Sequence, residues 1–221
     1  MALVTRDVGP GERLRAARLY LCTDSRRAQG DLPDFLDRVL GAGVDVVQLR
    51  DKTLEAREEL ALHEQVAAAA ERHGALWAVN DRADVAALAG APVLHVGQGD
   101  VRPVQARGLL GEDVLVGLST HGPDQLVAAL DDPDVAYVCC GPVHPTPTKP
   151  GRPATGLAYV EHAAGTVGER LPWFAIGGVD LTTVDAVVEA GASRAVVVRA
   201  VTQADDPADA VRRLRARLER G

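Results

Sequence analysis

The stretch LGAGVDVVQLR, residues 40–50, reads as the end of a helix, a glycine turn and then a buried strand. Most strand candidates in the chain run apolar with little alternation, as expected of parallel strands covered on both faces. Near the other end of the chain VEAGASRAVVVR, residues 188–199, repeats the same order. Between and around these two copies, further apolar runs give eight strand candidates: 18–23, 44–50, 75–79, 92–96, 114–118, 135–140, 173–176 and 194–199. Segments of helical period alternate with them at 33–41, 54–73, 82–89, 103–109, 123–130, 157–168, 181–190 and 207–219. Gly43, Gly74, Gly90, Gly111 and Gly191 stand where helices should end before the next strand. The Gly-x-Gly at 41–43 precedes a strand instead of following one, which excludes a dinucleotide-binding turn.

Strict β/α alternation allows an open doubly wound sheet or a closed barrel, and eight units in roughly 200 residues favour the (β/α)8 TIM barrel. No linker or shift in composition divides the chain, so residues 18–221 form one domain. Residues 1–17 are an N-terminal extension, with a short helix expected across the barrel bottom. Aromatic residues are only 3% of the 221, so the core is expected to be Ala, Val and Leu. The formal net charge of −7 argues against nucleic-acid or membrane-surface partners and leaves small anionic ligands open. The apolar runs are too short to span a bilayer, and no signal peptide is evident, so the expected location is cytoplasmic. Cys22, Cys139 and Cys140 lie in apolar runs without metal-ligand spacing and read as small buried hydrophobes.

In such a barrel the chemistry belongs where strands end. Those eight places read Thr23-Asp24, QLRDK (48–52), NDR (80–82), HVGQGD (95–100), LSTH (118–121), GPVHPTPTK (141–149), IGG (176–178) and VVRA (197–200). The opposite loops are mostly Gly, Ala, Asp and Pro. Of 24 basic residues only Lys52 and Lys149 are lysine, and Asn80 is the one asparagine; all three fall in these motifs. Gln48, Arg50 and Lys52 alternate along one strand face, and a forked guanidinium beside a compact ammonium suits a diphosphate. The alternative is a structural charge cluster in the barrel's top layer. Asp81 and Asp100 end neighbouring strands and would suit Mg²⁺ bound to phosphate oxygens; Asp81 could instead cap the helix that follows. Thr146, Thr148 and Lys149 lie in a loop stiffened by Pro142, Pro145, Pro147 and Pro150. Gly177, Gly178 and residues 198–200 occupy the barrel's recurrent phosphate position. His121 is the histidine best placed to touch substrate.

Taken together and in order, QLRDK, NDRADVA (80–86), HVGQGD, GPVHPTPTKPG (141–151) and IGGV (176–179) closely resemble the thiamine phosphate synthase family, from about residue 18 onward. The resemblance implies a transferase of thiamine biosynthesis that joins a hydroxymethylpyrimidine diphosphate to hydroxyethylthiazole phosphate, releasing pyrophosphate. It implies that Gln48, Leu49, Arg50, Asp51, Lys52, Asn80, Ser119, His121 and Lys149 surround the pyrimidine diphosphate, with Arg50, Lys52, Ser119 and Lys149 catalytic. It implies that Asp81 and Asp100 bind Mg²⁺, and that Thr146, Pro147, Thr148, Gly177, Gly178, Val198 and Arg199 hold the thiazole phosphate. Two positions depart from the family pattern: Arg199 replaces a small Ser, and Gly99 replaces a common acidic residue. The rival readings are a thiazole tautomerase-like barrel, a sugar-phosphate isomerase and a non-catalytic barrel that binds a thiamine precursor. A homo-oligomer is compatible with all of them.

Overall fold

Short runs rich in Val, Leu and Ala form parallel strands that are buried on both faces. The computed structural model describes residues 8–146 and 153–221. Among them, eight strands close into a barrel in chain order. These are β1 (Leu19–Thr23), β2 (Val46–Leu49), β3 (Leu76–Asn80), β4 (Val93–Val96), β5 (Leu115–Thr120), β6 (Tyr137–Cys140), β7 (Trp173–Ile176) and β8 (Ala195–Val197). The surrounding helices are α1 (Pro10–Ala16), α2 (Leu32–Gly41), α3 (Ala56–His73), α4 (Ala83–Ala89), α5 (Pro103–Leu110), α6 (Pro123–Leu130), α7 (Leu157–Val167), α8 (Val184–Glu189), α9 (Arg199–Thr202) and α10 (Pro207–Leu218). The barrel expected from the sequence is therefore the observed fold. None of these helices is long and apolar enough to cross a membrane.

Period two divides each strand between two cores. Leu21, Val47, Leu49, Val79 and Leu94 point outward into the layer beneath the helices, where Ala, Val and Leu dominate as expected. A fully buried leucine there contributes roughly 2 kcal/mol of hydrophobic stabilisation. The barrel interior is different. Tyr20, Tyr137 and Phe174 concentrate there, with Phe174 edge-on to both tyrosines at centroid distances of 5.7 and 5.9 Å. A chain short of aromatics overall thus places several of them on the barrel floor. Gly117 makes room: it pairs in register with Tyr137, and a Cβ on it would lie 2.0 Å from the Tyr137 ring. α1 lies at the N-terminal end of the barrel, and its Leu14 packs into the interior cluster.

Several boundaries differ from the sequence expectation for local reasons. β2 stops at Leu49, so Arg50 and Lys52 continue beyond the strand instead of along it. β8 ends at Val197 because the chain turns at Val198, whose carbonyl accepts from the Val201 and Thr202 amides and starts α9. α8 begins at Val184 because the Asp180 carboxylate accepts from the Thr182 and Thr183 amides, holding that stretch out of the helix. Gly74 and Gly90 end their helices in the left-handed conformation, as expected.

Candidate active site

The C-terminal ends of the strands surround a cavity of about 390 Å³. Its floor is polar. Register places Cys22 beside Gln48, His95 beside Gly117 and Ser119 beside Cys139, all inward-facing. Cys22 Sγ donates to Gln48 Oε1 at 3.4 Å, and Gln48 Nε2 donates to Tyr20 Oη at 2.8 Å. The Tyr20 and Tyr137 hydroxyls are 3.2 Å apart. His95 bridges onward, with Nδ1 3.0 Å from Tyr137 Oη and Nε2 2.9 Å from Ser119 Oγ. Burial raises both tyrosine pKa values well above the ordinary range, so both hydroxyls keep their protons.

One rim of the mouth is made by the chain beyond β2, β3 and β4. The Arg50 guanidinium lines the cavity and is unpaired among the described residues. Asn80, the last residue of β3, lines it too. Just outside, Lys52 Nζ stands 2.7 Å from Asp81 Oδ2. Asp81 takes the left-handed region, φ 62°, unusual for a residue with a side chain, while its amide donates to the His95 carbonyl at 2.8 Å. Its carboxyl does not cap α4, which has no side-chain cap. It lies instead within hydrogen-bonding reach of Asp100. Burial alone would push the Asp81 carboxyl up, but Lys52, Asp100 and Asn80 hold it below its ordinary value. Asp100 moves the opposite way: burial and the neighbouring Asp81 charge outweigh the Gly97 amide bonded to it and push it up.

Two hard carboxylates pressed together in this way are a donor set for a divalent cation. Among the described residues no group of three or more His, Cys, Asp or Glu has metal-binding geometry. A pair without a third ligand fits Mg²⁺, which retains waters and takes phosphate oxygens as its remaining ligands. Asp51, by contrast, is used internally. Although burial raises its pKa, hydrogen bonds from Ser25 and Thr53 bring it down to about 2. Those bonds hold the turn that carries Lys52. The Leu49 side chain packs outward under the helices, so its backbone is what it can offer the site.

The opposite rim is built by β5 to β8. His121 Nδ1 lies 2.5 Å from the Gly141 carbonyl, which turns its ring along the cavity wall. The chain after β6 is zipped to the end of β7, with the Val143 amide on the Ile176 carbonyl at 2.8 Å and the His144 amide on the Gly177 carbonyl at 3.0 Å. Gly177 and Gly178 have φ of 101° and 66°, and a Cβ on either would strike Pro142 or His144 at 2.5–2.6 Å. Only glycine lets the two segments approach this closely. Thr146, Gly177, Gly178, Val198 and Arg199 all line this side, and the Arg199 guanidinium is unpaired among the described residues. Pro147, Thr148 and Lys149 lie outside the described residues.

Most of the residues singled out from sequence therefore meet around one cavity, with Lys52, Asp81 and Asp100 at its edge. Sequence reading missed Tyr20, Tyr137, Gln203 and the cavity-facing positions of Cys22 and Cys139. Cys140 does behave as a buried hydrophobe, with burial raising its pKa to about 11. Period two applied to LYLCT (19–23) and YVCC (137–140) would have turned Tyr20, Cys22, Tyr137 and Cys139 inward. Gln203 follows the unexpected α9 and carried no such signal.

A family model described as thiamine monophosphate synthase matches residues 19–201. A protein named thiamine-phosphate synthase from Acidothermus cellulolyticus is 62% identical over 205 residues, covering 93% of this chain and 96% of its own length. Another of that name from Arthrobacter sp. is 53% identical over 229 residues, covering 94% and 97%. The solved thiamine phosphate pyrophosphorylase from Pyrococcus furiosus matches with a TM-score of 0.82 at 25% identity, over 94% of this chain and 98% of that one.

Proposed function

Since this chain belongs to the thiamine monophosphate synthase family and is a transferase of that kind, we propose that its mouth joins 4-amino-2-methyl-5-hydroxymethylpyrimidine diphosphate to hydroxyethylthiazole phosphate. The bond from the pyrimidine's exocyclic CH₂ to the diphosphate oxygen breaks, and the oxygen leaves with the electron pair. The amino-pyrimidine ring spreads the positive charge left on that carbon. The thiazole nitrogen then gives its lone pair to the carbon, forming thiamine monophosphate and free pyrophosphate.

The observation that carries this reading is the gathering of Arg50, Lys52, Asp81 and Asp100 at one rim. Arg50 and Lys52 meet the charge that grows on the departing diphosphate, where preorganised cations act most strongly. Lys149 belongs with them by the family motif. Asp81 and Asp100 would hold Mg²⁺, which when bound supplies further charge neutralisation to the diphosphate oxygens. Gln48, Asn80 and Ser119 orient the pyrimidine from the floor and the near rim. Thr146, Gly177, Gly178, Val198 and Arg199 seat the thiazole phosphate on the far rim, bringing the nitrogen to the carbon, and Thr148 belongs with them by the family motif. No protein nucleophile is required, so positioning supplies most of the remaining rate. Both substrates are small and soluble, consistent with a cytoplasmic enzyme.

Single-turnover mixing of the two substrates with Mg²⁺ tests the reading. Stoichiometric pyrophosphate with thiamine monophosphate is expected. Isomerised thiazole phosphate without pyrophosphate, or binding without turnover, would overturn it.

A further inference from the structure

We propose that Tyr137 and His95 are positioning residues that couple Gln48 to Ser119 through the barrel floor; this rests on the synthase reading above. Five groups form a continuous row: Gln48 Nε2, Tyr20 Oη, Tyr137 Oη, His95 and Ser119 Oγ, with successive distances of 2.8, 3.2, 3.0 and 2.9 Å. All five residues are buried, with exposures of 7% or less, and Tyr137 at the centre is fully covered and does not line the cavity, so a link broken there has little access to repairing water.

The hydrogens in the row can be counted. Gln48 Nε2 can only donate, so the Tyr20 oxygen accepts there and passes its own hydrogen to Tyr137. The Tyr137 hydrogen then goes to His95 Nδ1. A neutral imidazole protonated on Nε2 gives that hydrogen to Ser119 Oγ. The Ser119 hydrogen remains, and it is free to point into the cavity at an acceptor such as a ring nitrogen. Running the row backwards makes Tyr20 a donor toward Gln48, which requires the amide to turn over. The amide atoms that Gln48 shows the cavity and the direction of the Ser119 hydroxyl therefore change together. Tyr137 is the central link. Its ring is fixed against the space left by Gly117 and against Phe174, so its hydroxyl has little freedom to seek another partner.

The test is a double-mutant cycle on pyrophosphate release, using Tyr137→Phe, Ser119→Ala and the pair. Tyr137→Phe keeps the ring and removes the link. It is expected to raise KM for the pyrimidine diphosphate roughly tenfold, the scale of one buried hydrogen bond, and to leave KM for the thiazole phosphate within about twofold. In the pair, the Tyr137→Phe loss should be clearly smaller than in the parent, because the part of it that acts through Ser119 is already gone while the part through Gln48 remains. His95→Asn cuts the row one link later and should give the same pattern if Tyr137→Phe does not fold. Additive losses, or equal effects on both KM values, overturn the coupling while leaving the synthase reading intact. Absence of pyrophosphate release by the unmodified protein overturns both.

Discussion

Lys52 Nζ sits 2.7 Å from Asp81 Oδ2, although most of the lysine side chain is exposed and the aspartate is largely covered. An exposed ammonium is held here against one half-buried carboxylate, and that carboxylate in turn lies beside Asp100. The contact places a compact charge at the rim where the two acids stand. Lys52 is one of only two lysines among the 24 basic residues of the chain, and an ammonium and a guanidinium differ in shape and donor geometry.

Replacing Lys52 with Arg keeps the charge but widens the group and changes its donor geometry. Steady-state kinetics of Lys52→Arg should show kcat lowered by roughly ten- to a hundredfold, with thermal stability near that of the parent. Parental kcat would mean that charge alone suffices at this position.

Asp100→Asn separates activity from stability. The raised pKa of Asp100 records an unfavourable charge, from burial and from Asp81, so removing that charge should leave the metal-free Tm equal or higher. The same change should lower kcat by roughly two orders of magnitude and move the Mg²⁺ titration to higher concentration. A lower metal-free Tm together with an unshifted Mg²⁺ midpoint would contradict the assignment.

Gly117→Ala places a methyl carbon about where the Tyr137 ring now lies, 2.0 Å from Cζ. Overpacking of this kind costs about 1–3 kcal/mol or more, since both neighbours are strand-bound. Chemical denaturation should show that loss, with KM for the pyrimidine diphosphate rising as Tyr137 is displaced. A neutral Gly117→Ala would mean the floor is looser than its packing indicates.

His63 gives stability a pH dependence away from the site. It is fully buried on α3 against Trp77, neither ring nitrogen has a hydrogen-bond partner among the described residues, and burial lowers its pKa to about 4. The unfolded chain binds a proton near pH 6.5 that the folded chain refuses until about pH 4. The resulting stability is complete above pH 6.5, falls between 6.5 and 4, and is level below that, for a total of about 3 kcal/mol. Glu59, raised mainly by burial, contributes with the opposite sign, so the comparison is between parent and His63→Leu. The difference in unfolding free energy between pH 7 and pH 4 should be smaller in the variant by about that amount. Identical pH profiles would show that His63 is solvated.

The barrel was legible because hydrophobic period and glycine punctuation are local signals, and 40–50 and 188–199 each carry a complete unit. The rim was legible because Lys52 and Asn80 are rare residue types in this chain and because Asp81 and Asp100 end neighbouring strands. The floor was not. Tyr20 and Tyr137 sit in apolar runs and resemble core filler, and their hydrogen bonds join strands far apart in sequence. The turn into α9 was hidden as well, since AVVV (195–198) has strong strand character and the turn at Val198 is closed by backbone bonds from the Val201 and Thr202 amides to its carbonyl. Arg199 thus became a residue of a helical turn facing the cavity instead of a strand end.

The most direct test of the account is a crystal structure of the protein with Mg²⁺, thiamine monophosphate and pyrophosphate bound. Pyrophosphate is predicted against Arg50 and Lys52, sharing a metal ion with Asp81 and Asp100, while the product phosphate lies by Gly177, Gly178 and Arg199. Pyrophosphate bound away from that rim, with no metal between the two aspartates, would contradict it.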